Sequence, residues 1–224
     1  MTLVLGVDAC PGGWVGVELH DGRFAAAHFD RELRGLVKST PDAAAIAVDI
    51  PLGLADEDWR DADAAAKKFL GKRSSSVFMT PPKLALAEKT HALGVARCRE
   101  LTGKGFSIQA WGLKTKLLEA NSLYESGDHP MWEVHPEVSF AALGLSAGDG
   151  QKKSWRGLRA RERVLSAVGI ELPDNPGAAG DAPCDDILDA AAAAWSAHRI
   201  ARDMAASLPD PPQFVDGQSI AIWY

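Results

Sequence analysis

Four aspartates of this 224-residue chain stand where their carboxylates can act together. Asp8 ends the apolar run "LVLGVD", and Asp49 ends the similar run "AAAIAVD". Asp186 and Asp189 lie in "DDILDAAAAAW", and a spacing of three residues puts both on one face of a helix. Clustered carboxylates repel one another, and Mg²⁺ or Mn²⁺ balances that repulsion because such hard cations prefer oxygen ligands. The sequence therefore predicts a metal site made of Asp8, Asp49, Asp186 and Asp189.

The chemistry of such a site is hydrolysis at phosphorus. Two ions about 3.5 to 4 Å apart activate a water and stabilise the leaving oxygen of an in-line displacement. We expect Asp8 to bridge both ions, Asp49 to bind one, and Asp186 and Asp189 to reach in from their helix. Glu133, in the strand-like "MWEVH", is a further candidate ligand or base. Most of these acids also have a structural explanation: Asp8 and Asp49 as turn residues, at least one of Asp185 and Asp186 as a helix cap, and Glu133 as a surface charge or a partner for a lysine. Asp189, further into the helix, is harder to explain in this way.

Two basic segments have side chains suited to phosphate. The first is "KRSSS", and the second is a basic stretch that begins at "KKSWRGLRAR" and has helical spacing. Solvated surface is the alternative interpretation of both. The candidate substrate-binding residues are Lys72, Arg73, Ser74, Ser75, Lys152, Arg156 and Arg159.

The elements that must position these residues follow an α/β pattern. Apolar runs predict strands at residues 3–8, 14–19, 23–29, 44–50 and 131–135, with a closing strand at 219–224. Helical patterns occupy residues 31–38, 62–70, 84–101, 110–121, the basic stretch and the alanine-rich stretch. We expect one domain over residues 1–224 with a helical insertion at 55–128, and "PDPP" as the separator before the closing strand.

This order of elements, with acids on the first strand, the fourth strand and the last long helix, resembles the RNase H-type fold. More narrowly, the chain resembles domain-of-unknown-function family 429 through "GVDACPGGW", "AVDIPLG", "SSSVFMTPP", "GFSIQAW", "EVHPE" and "DDILDAAAAAW". Members of that family are predicted nucleases of the RNase H-like fold. The last motif is also similar to the DxxDA helix of Holliday-junction resolvases. The resemblance implies a mixed sheet flanked by helices, with a helical insertion between the fourth and fifth strands.

Three classes of function remain open at this level. The favoured one is a metal-dependent nuclease or phosphodiesterase, acting on nucleic acid or on a small phosphodiester. The others are a nucleotide-binding relative of the actin and sugar-kinase ATPases, and a non-catalytic binding protein of the same fold. A cysteine hydrolase that uses Cys10 and His135 is a further arrangement compatible with the composition.

Composition limits where the protein works and what it binds. A formal charge of −6 and an isoelectric point near 5.5 exclude a uniformly basic surface, so any polyanion must be bound locally. The three cysteines form no CxxC pair, which excludes a zinc ribbon and fits a reducing compartment. No apolar run approaches the length of a membrane span. We therefore expect a cytoplasmic protein with no membrane partner.

Overall fold

The computed structural model describes residues 1–215 and 217–224. The chain divides into two compact units. The first contains Met1–Ile50, Gly127–Ala206 and Trp223–Tyr224, and the second contains Pro51–Ser126 and Ser207–Ile222. All four aspartates of the predicted metal site belong to the first unit.

Among the described residues, the first three strands are consecutive, five α-helices lie between the fourth and fifth strands, and the last two strands follow the longest helix. The strands are β1 (Leu3–Cys10), β2 (Gly13–His20), β3 (Arg23–Asp30), β4 (Ala45–Asp49), β5 (Met131–Glu133), β6 (Ser207–Val215) and β7 (Gln218–Trp223). The α-helices are α1 (Leu33–Ser39), α2 (Asp61–Leu70), α3 (Lys83–Leu86), α4 (His91–Thr102), α5 (Ile108–Gly112), α6 (Lys114–Ser126), α7 (Pro136–Ala142), α8 (Trp155–Ala167) and α9 (Cys184–Ile200). Short 3₁₀ helices occupy Gly71–Ser76, Ala147–Asp149 and Gly177–Asp181.

The first unit is built on a five-stranded sheet with the order β3-β2-β1-β4-β5. β1, β2 and β3 are antiparallel neighbours, whereas β4 and β5 run parallel to β1. Asp21 and Gly22 join β2 to β3 with positive φ angles of 49° and 79°, as a tight hairpin turn requires. The predicted fold class is confirmed: a mixed α/β sheet of the RNase H-like type, with helices inserted between the fourth and fifth strands.

Helix α9 packs on one face of this sheet, and its backbone comes very close to that of β1. A Cβ at Gly6 in β1 would overlap the backbone of Ala190 and Ala194 in α9. The alanine-rich face of α9 contributes to a buried cluster with Val4, Val17 and other apolar side chains of the sheet. Because neither element carries a large side chain at the contact, helix and strand meet almost backbone to backbone.

The second unit contains helices α2 to α6 and the two-stranded sheet of β6 and β7. Three sequence predictions were wrong here. The predicted helix 84–101 is interrupted, because the Thr90 hydroxyl caps a new helix by accepting a hydrogen bond from the amide of Leu93 at 3.3 Å. The predicted helix 110–121 is two helices, α5 and α6, and "PDPP" lies inside β6. Prolines are tolerated in β6 because its sheet has only two strands, both at an edge.

Across the residues that the structure describes, none of the helices combines the length and apolar character needed to cross a membrane.

The close contact between β1 and α9 predicts that Gly6→Ala is strongly destabilising. The added methyl group meets backbone atoms that cannot rotate away, so we expect the free energy of unfolding to fall by about 3 kcal/mol. Gly112→Ala is the control, because a Cβ there has nothing within 4 Å. Urea denaturation of both variants measures the difference, and equal stabilities would contradict the close packing.

Candidate metal centre

Asp8 and Asp49 come together because they are partners in the parallel ladder between β1 and β4. Partners in adjacent strands project to the same face of a sheet, so both carboxyl groups lie on the α9 face. The two carboxyl groups lie close enough that, besides burial, the charge of Asp49 raises the pKa of Asp8. Asp8 is buried and Asp49 is partly exposed.

Helix α9 adds the third carboxylate. Ala190 and Ala194 of α9 lie against Gly6. Asp8 lies two residues further along β1, a distance of about 6.6 Å. Four residues of an α-helix span a similar distance, about 6 Å. The beginning of α9 therefore lies beside Asp8. One oxygen each of Asp8, Asp49 and Asp189 lies within 4.8 Å of the other two, a separation that one metal ion can span. We call these three residues the acidic cluster.

Asp185 and Asp186 lie at the margin of the acidic cluster, in the first turn of α9. Asp186 is half-buried, and its charge raises the pKa of Asp8 and of Asp49, so it lies close to both. Asp185 is buried, although the sequence did not indicate it as a site residue. The structure thus brings Asp8, Asp49 and Asp189 together as predicted, with Asp186 near them.

Lys152 supplies a positive charge to the acidic cluster. Its Nζ lies 2.9 Å from Asp189 Oδ2 and 3.4 Å from Asp185 Oδ2. The predicted basic helix that included Lys152 was wrong in this respect, because the Ser154 hydroxyl accepts from the amide of Gly157 and α8 begins only at Trp155. Lys152 lies in the loop before α8 and turns towards the acids.

Burial and mutual repulsion make the acidic cluster costly to ionise. Desolvation, followed by the charges of Asp49 and Asp189, holds the pKa of Asp8 well above its usual value. Burial raises the pKa of Asp49 and of Asp189 to about 7, against the opposing effect of Lys152. For Lys152 itself, burial lowers the pKa, but the carboxylates of Asp189 and its neighbours raise it above its usual value. Lys152 therefore stays charged.

The acidic cluster fits a hard divalent cation. All its donor atoms are carboxylate oxygens, which suit Mg²⁺ and Mn²⁺. Asp189 Oδ1 is buried and has no hydrogen-bond partner among the described residues, whereas Oδ2 of the same side chain contacts Lys152. A buried carboxylate oxygen without a partner is costly unless a cation reaches it. The residues present therefore match the predicted metal.

Glu133 is not part of this arrangement. It pairs with Val48 in the ladder between β4 and β5. Because successive residues of a strand project to opposite faces, Glu133 projects to the face opposite Asp49. The sequence correctly predicted that Glu133 lies in a strand. It could not predict the register of that strand, and so could not predict whether Glu133 and Asp49 project to the same face.

Glu137 is a buried acid near the site that the sequence analysis did not select. It lies in the first turn of α7, directly after β5, and its charge raises the pKa of Asp49 and of Asp189. Its carboxylate accepts a hydrogen bond from the buried guanidinium of Arg161. The signal available in the sequence was "HPE", in which proline precedes an acid at a helix start.

The other candidate substrate-binding residues stay predictions. Arg156 and Arg159 are exposed on α8, where Arg159 pairs with Glu162 and stacks over the exposed ring of Trp155. The "KRSSS" segment belongs to the second unit, where it forms a 3₁₀ helix whose Ser74 carbonyl accepts from Lys67 Nζ at 3.1 Å. Its members are Lys72, Arg73, Ser74 and Ser75.

Comparison with known protein families gives one match. A model described as "Protein of unknown function (DUF429)" matches residues 6–213, which is most of the chain. No curated protein and no solved structure matches the sequence. The matched range includes all three residues of the acidic cluster.

The raised pKa of Asp8 predicts that Asp8→Asn stabilises the metal-free protein. A folded-state pKa above the unfolded value means that the ionised carboxylate costs stability at high pH, and that this cost disappears as the pH falls. We expect a gain on the order of 1 kcal/mol or more at pH 8, since one pKa unit corresponds to about 1.4 kcal/mol. The gain should shrink steadily towards pH 5.

Urea denaturation in EDTA at pH 8, 7, 6 and 5 measures this difference. Asp42→Asn, which changes an exposed aspartate of the same unit, is the matched control and should leave the stability nearly unchanged. A destabilised Asp8→Asn, or a gain that is the same at every pH, would show that Asp8 acts as an ordinary turn residue.

Proposed function

The chain belongs to the DUF429 family, and we propose that it is a metal-dependent phosphodiester hydrolase, a nuclease or phosphodiesterase that uses Mg²⁺ or Mn²⁺. The observation that carries the proposal is the convergence of Asp8, Asp49 and Asp189 from two parallel strands and a helix. Such a buried group of carboxylates weakens the fold, and a structural role accounts poorly for it.

The acidic cluster supports hydrolysis at phosphorus better than other metal chemistry. Oxygen-only ligands favour a redox-inactive hard cation over a copper or thiolate-bound zinc centre. A bound ion of this type polarises a phosphoryl oxygen and lowers the pKa of a water molecule. In the overall reaction the water oxygen forms a bond to phosphorus, the bond from phosphorus to the leaving oxygen breaks, and a proton reaches that oxygen.

The chain's own residues divide the work. Asp8, on the central strand, and Asp49 would hold the cation from the sheet, and Asp189 would hold it from α9. Metal binding would favour the ionised form of these carboxyl groups, whose pKa values are raised without it. Asp186, half-buried beside them, orients a water molecule of the site.

We propose that the substrate is a nucleic acid or a smaller phosphodiester held by cationic side chains outside the acidic cluster. On α8, Arg156 and Arg159 are exposed beside Trp155, so they are accessible to phosphate oxygens and a base. The excess of acidic residues limits such contacts to a local surface. A cytoplasmic location is part of the proposal, supported by three cysteines that form no disulfide within the described residues.

Metal binding and cleavage test the proposal together. Calorimetry should show Mn²⁺ and Mg²⁺ binding to the wild type, and Asp189→Asn should weaken it at least about tenfold. Cleavage of single-stranded, duplex, hybrid and branched nucleic acids, and of bis-p-nitrophenyl phosphate, should fall by about a hundredfold or more in Asp189→Asn, because the variant loses a metal ligand. Glu133→Gln is the matched comparison: it neutralises a buried carboxylate on the opposite face and should retain metal binding.

The outcomes separate the alternatives. A wild type that binds neither metal contradicts the proposal. Binding of metal without cleavage of any substrate favours a non-catalytic binding protein, and metal-dependent binding of a nucleoside triphosphate favours the ATPase alternative. Loss of metal binding in Glu133→Gln but not in Asp189→Asn would show that the metal binds on the face of Glu133 and not at the acidic cluster.

A further inference from the structure

The two oxygens of Asp189 have different surroundings. Oδ1 is buried without a hydrogen-bond partner among the described residues, while Oδ2 lies 2.9 Å from the ammonium of Lys152. The same ammonium lies 3.4 Å from Asp185 Oδ2. The inner oxygen is therefore available to a cation, and the outer oxygen already has one.

A site with two divalent ions needs ligands for both. Asp8, Asp49 and the inner oxygen of Asp189 are sufficient protein ligands for one ion. A second ion beside the Asp189 carboxylate would compete with the Lys152 ammonium for Asp189 Oδ2 and for Asp185 Oδ2, a buried oxygen that has no hydrogen-bond partner among the described residues. An ion and an ammonium cannot share those oxygens, because two like charges a few ångströms apart repel strongly in a partly buried site.

The backbone holds Lys152 at this position. The loop before α8 is closed by the Ser154 amide and hydroxyl, which donate to the Gln151 carbonyl at 2.9 and 2.8 Å. A Cβ at Gly157 would overlap that same carbonyl, so the loop packs directly on the first turn of α8. These contacts hold the backbone of the loop, and the Lys152 ammonium is held by its ion pairs with Asp189 and Asp185.

We propose that the acidic cluster holds one divalent cation, and that the Lys152 ammonium takes the place of a second. This inference rests on the proposed metal-dependent function and departs from the two ions that the sequence predicts. The three carboxylates of the acidic cluster then face one divalent ion and one ammonium, and the same ammonium also contacts Asp185. An ammonium so placed stabilises the charge that develops on the phosphoryl group or the leaving oxygen, and unlike a second ion it does not dissociate.

Metal stoichiometry tests the inference. Titration calorimetry with Mn²⁺ should give one equivalent for the wild type and two for Lys152→Met, with reduced turnover in the variant. Lys153→Met is the matched control: its Nζ lies 3.8 Å from Asp185 Oδ2 on a side chain that is 78% exposed, and it should bind one equivalent like the wild type. One equivalent in Lys152→Met would show that Lys152 does not exclude a second ion.

Electron paramagnetic resonance of the Mn²⁺-loaded wild type gives an answer that does not depend on the folding of any variant. The spectrum should be that of isolated Mn²⁺ ions, whereas a spin-coupled pair would overturn the inference. Two equivalents in the wild type overturn the inference alone and leave the proposed function intact. No binding at all overturns the metal site and both proposals with it.

Discussion

The contact between Gly6 in β1 and Ala190 and Ala194 in α9 is the constraint on which the candidate site depends. It leaves no space for a side chain between helix and strand, so α9 cannot slide or rotate without a clash of backbone atoms. Asp8 lies two residues after Gly6 in β1, and Asp189 directly precedes Ala190 in α9. The separation of their carboxylates is therefore set by packing, and no direct attraction between them is needed.

The packing of α9 on β1 places several carboxylates close together, which is unfavourable unless a positive charge lies nearby. The pKa values of Asp49 and Asp189 near 7 reflect the cost of ionising them in a buried position. Lys152 offsets part of this cost for Asp189, and the neighbouring Glu137 forms an ion pair with the buried guanidinium of Arg161. For Asp8, burial and the charges of Asp49 and Asp189 hold the pKa well above its usual value. The site thus combines an ion-paired ammonium with carboxylate oxygens that suit a divalent ion.

The sequence predicted what depends on local pattern. Apolar runs that end in Asp8 and Asp49 identified two strands of one sheet, and the alanine-rich stretch identified the helix that carries Asp189. Predictions from the sequence were wrong where the outcome depends on strand register or on the residue that caps a helix. The face of Glu133 depends on its pairing with Val48, and the role of Lys152 depends on where α8 begins.

Other differences arise because burial is a property of the assembled fold. Asp185 and Glu137 occupy first turns of helices, where acids are commonly solvated, yet both are buried. No pattern of neighbouring residues distinguishes them from ordinary capping charges. Likewise the prolines of β6 indicated a linker, and only their place in a two-stranded sheet makes a strand possible.

The pairing of β1 with α9 also has a consequence for how the protein is made. The two elements are far apart in the sequence, so all the elements between them are synthesised before the helix can cover its face of the sheet. Closing so long a loop slows folding, and until then an apolar surface is available to chaperones and to aggregation. A nascent chain has no complete acidic cluster until α9 has been synthesised, because Asp189 belongs to that helix.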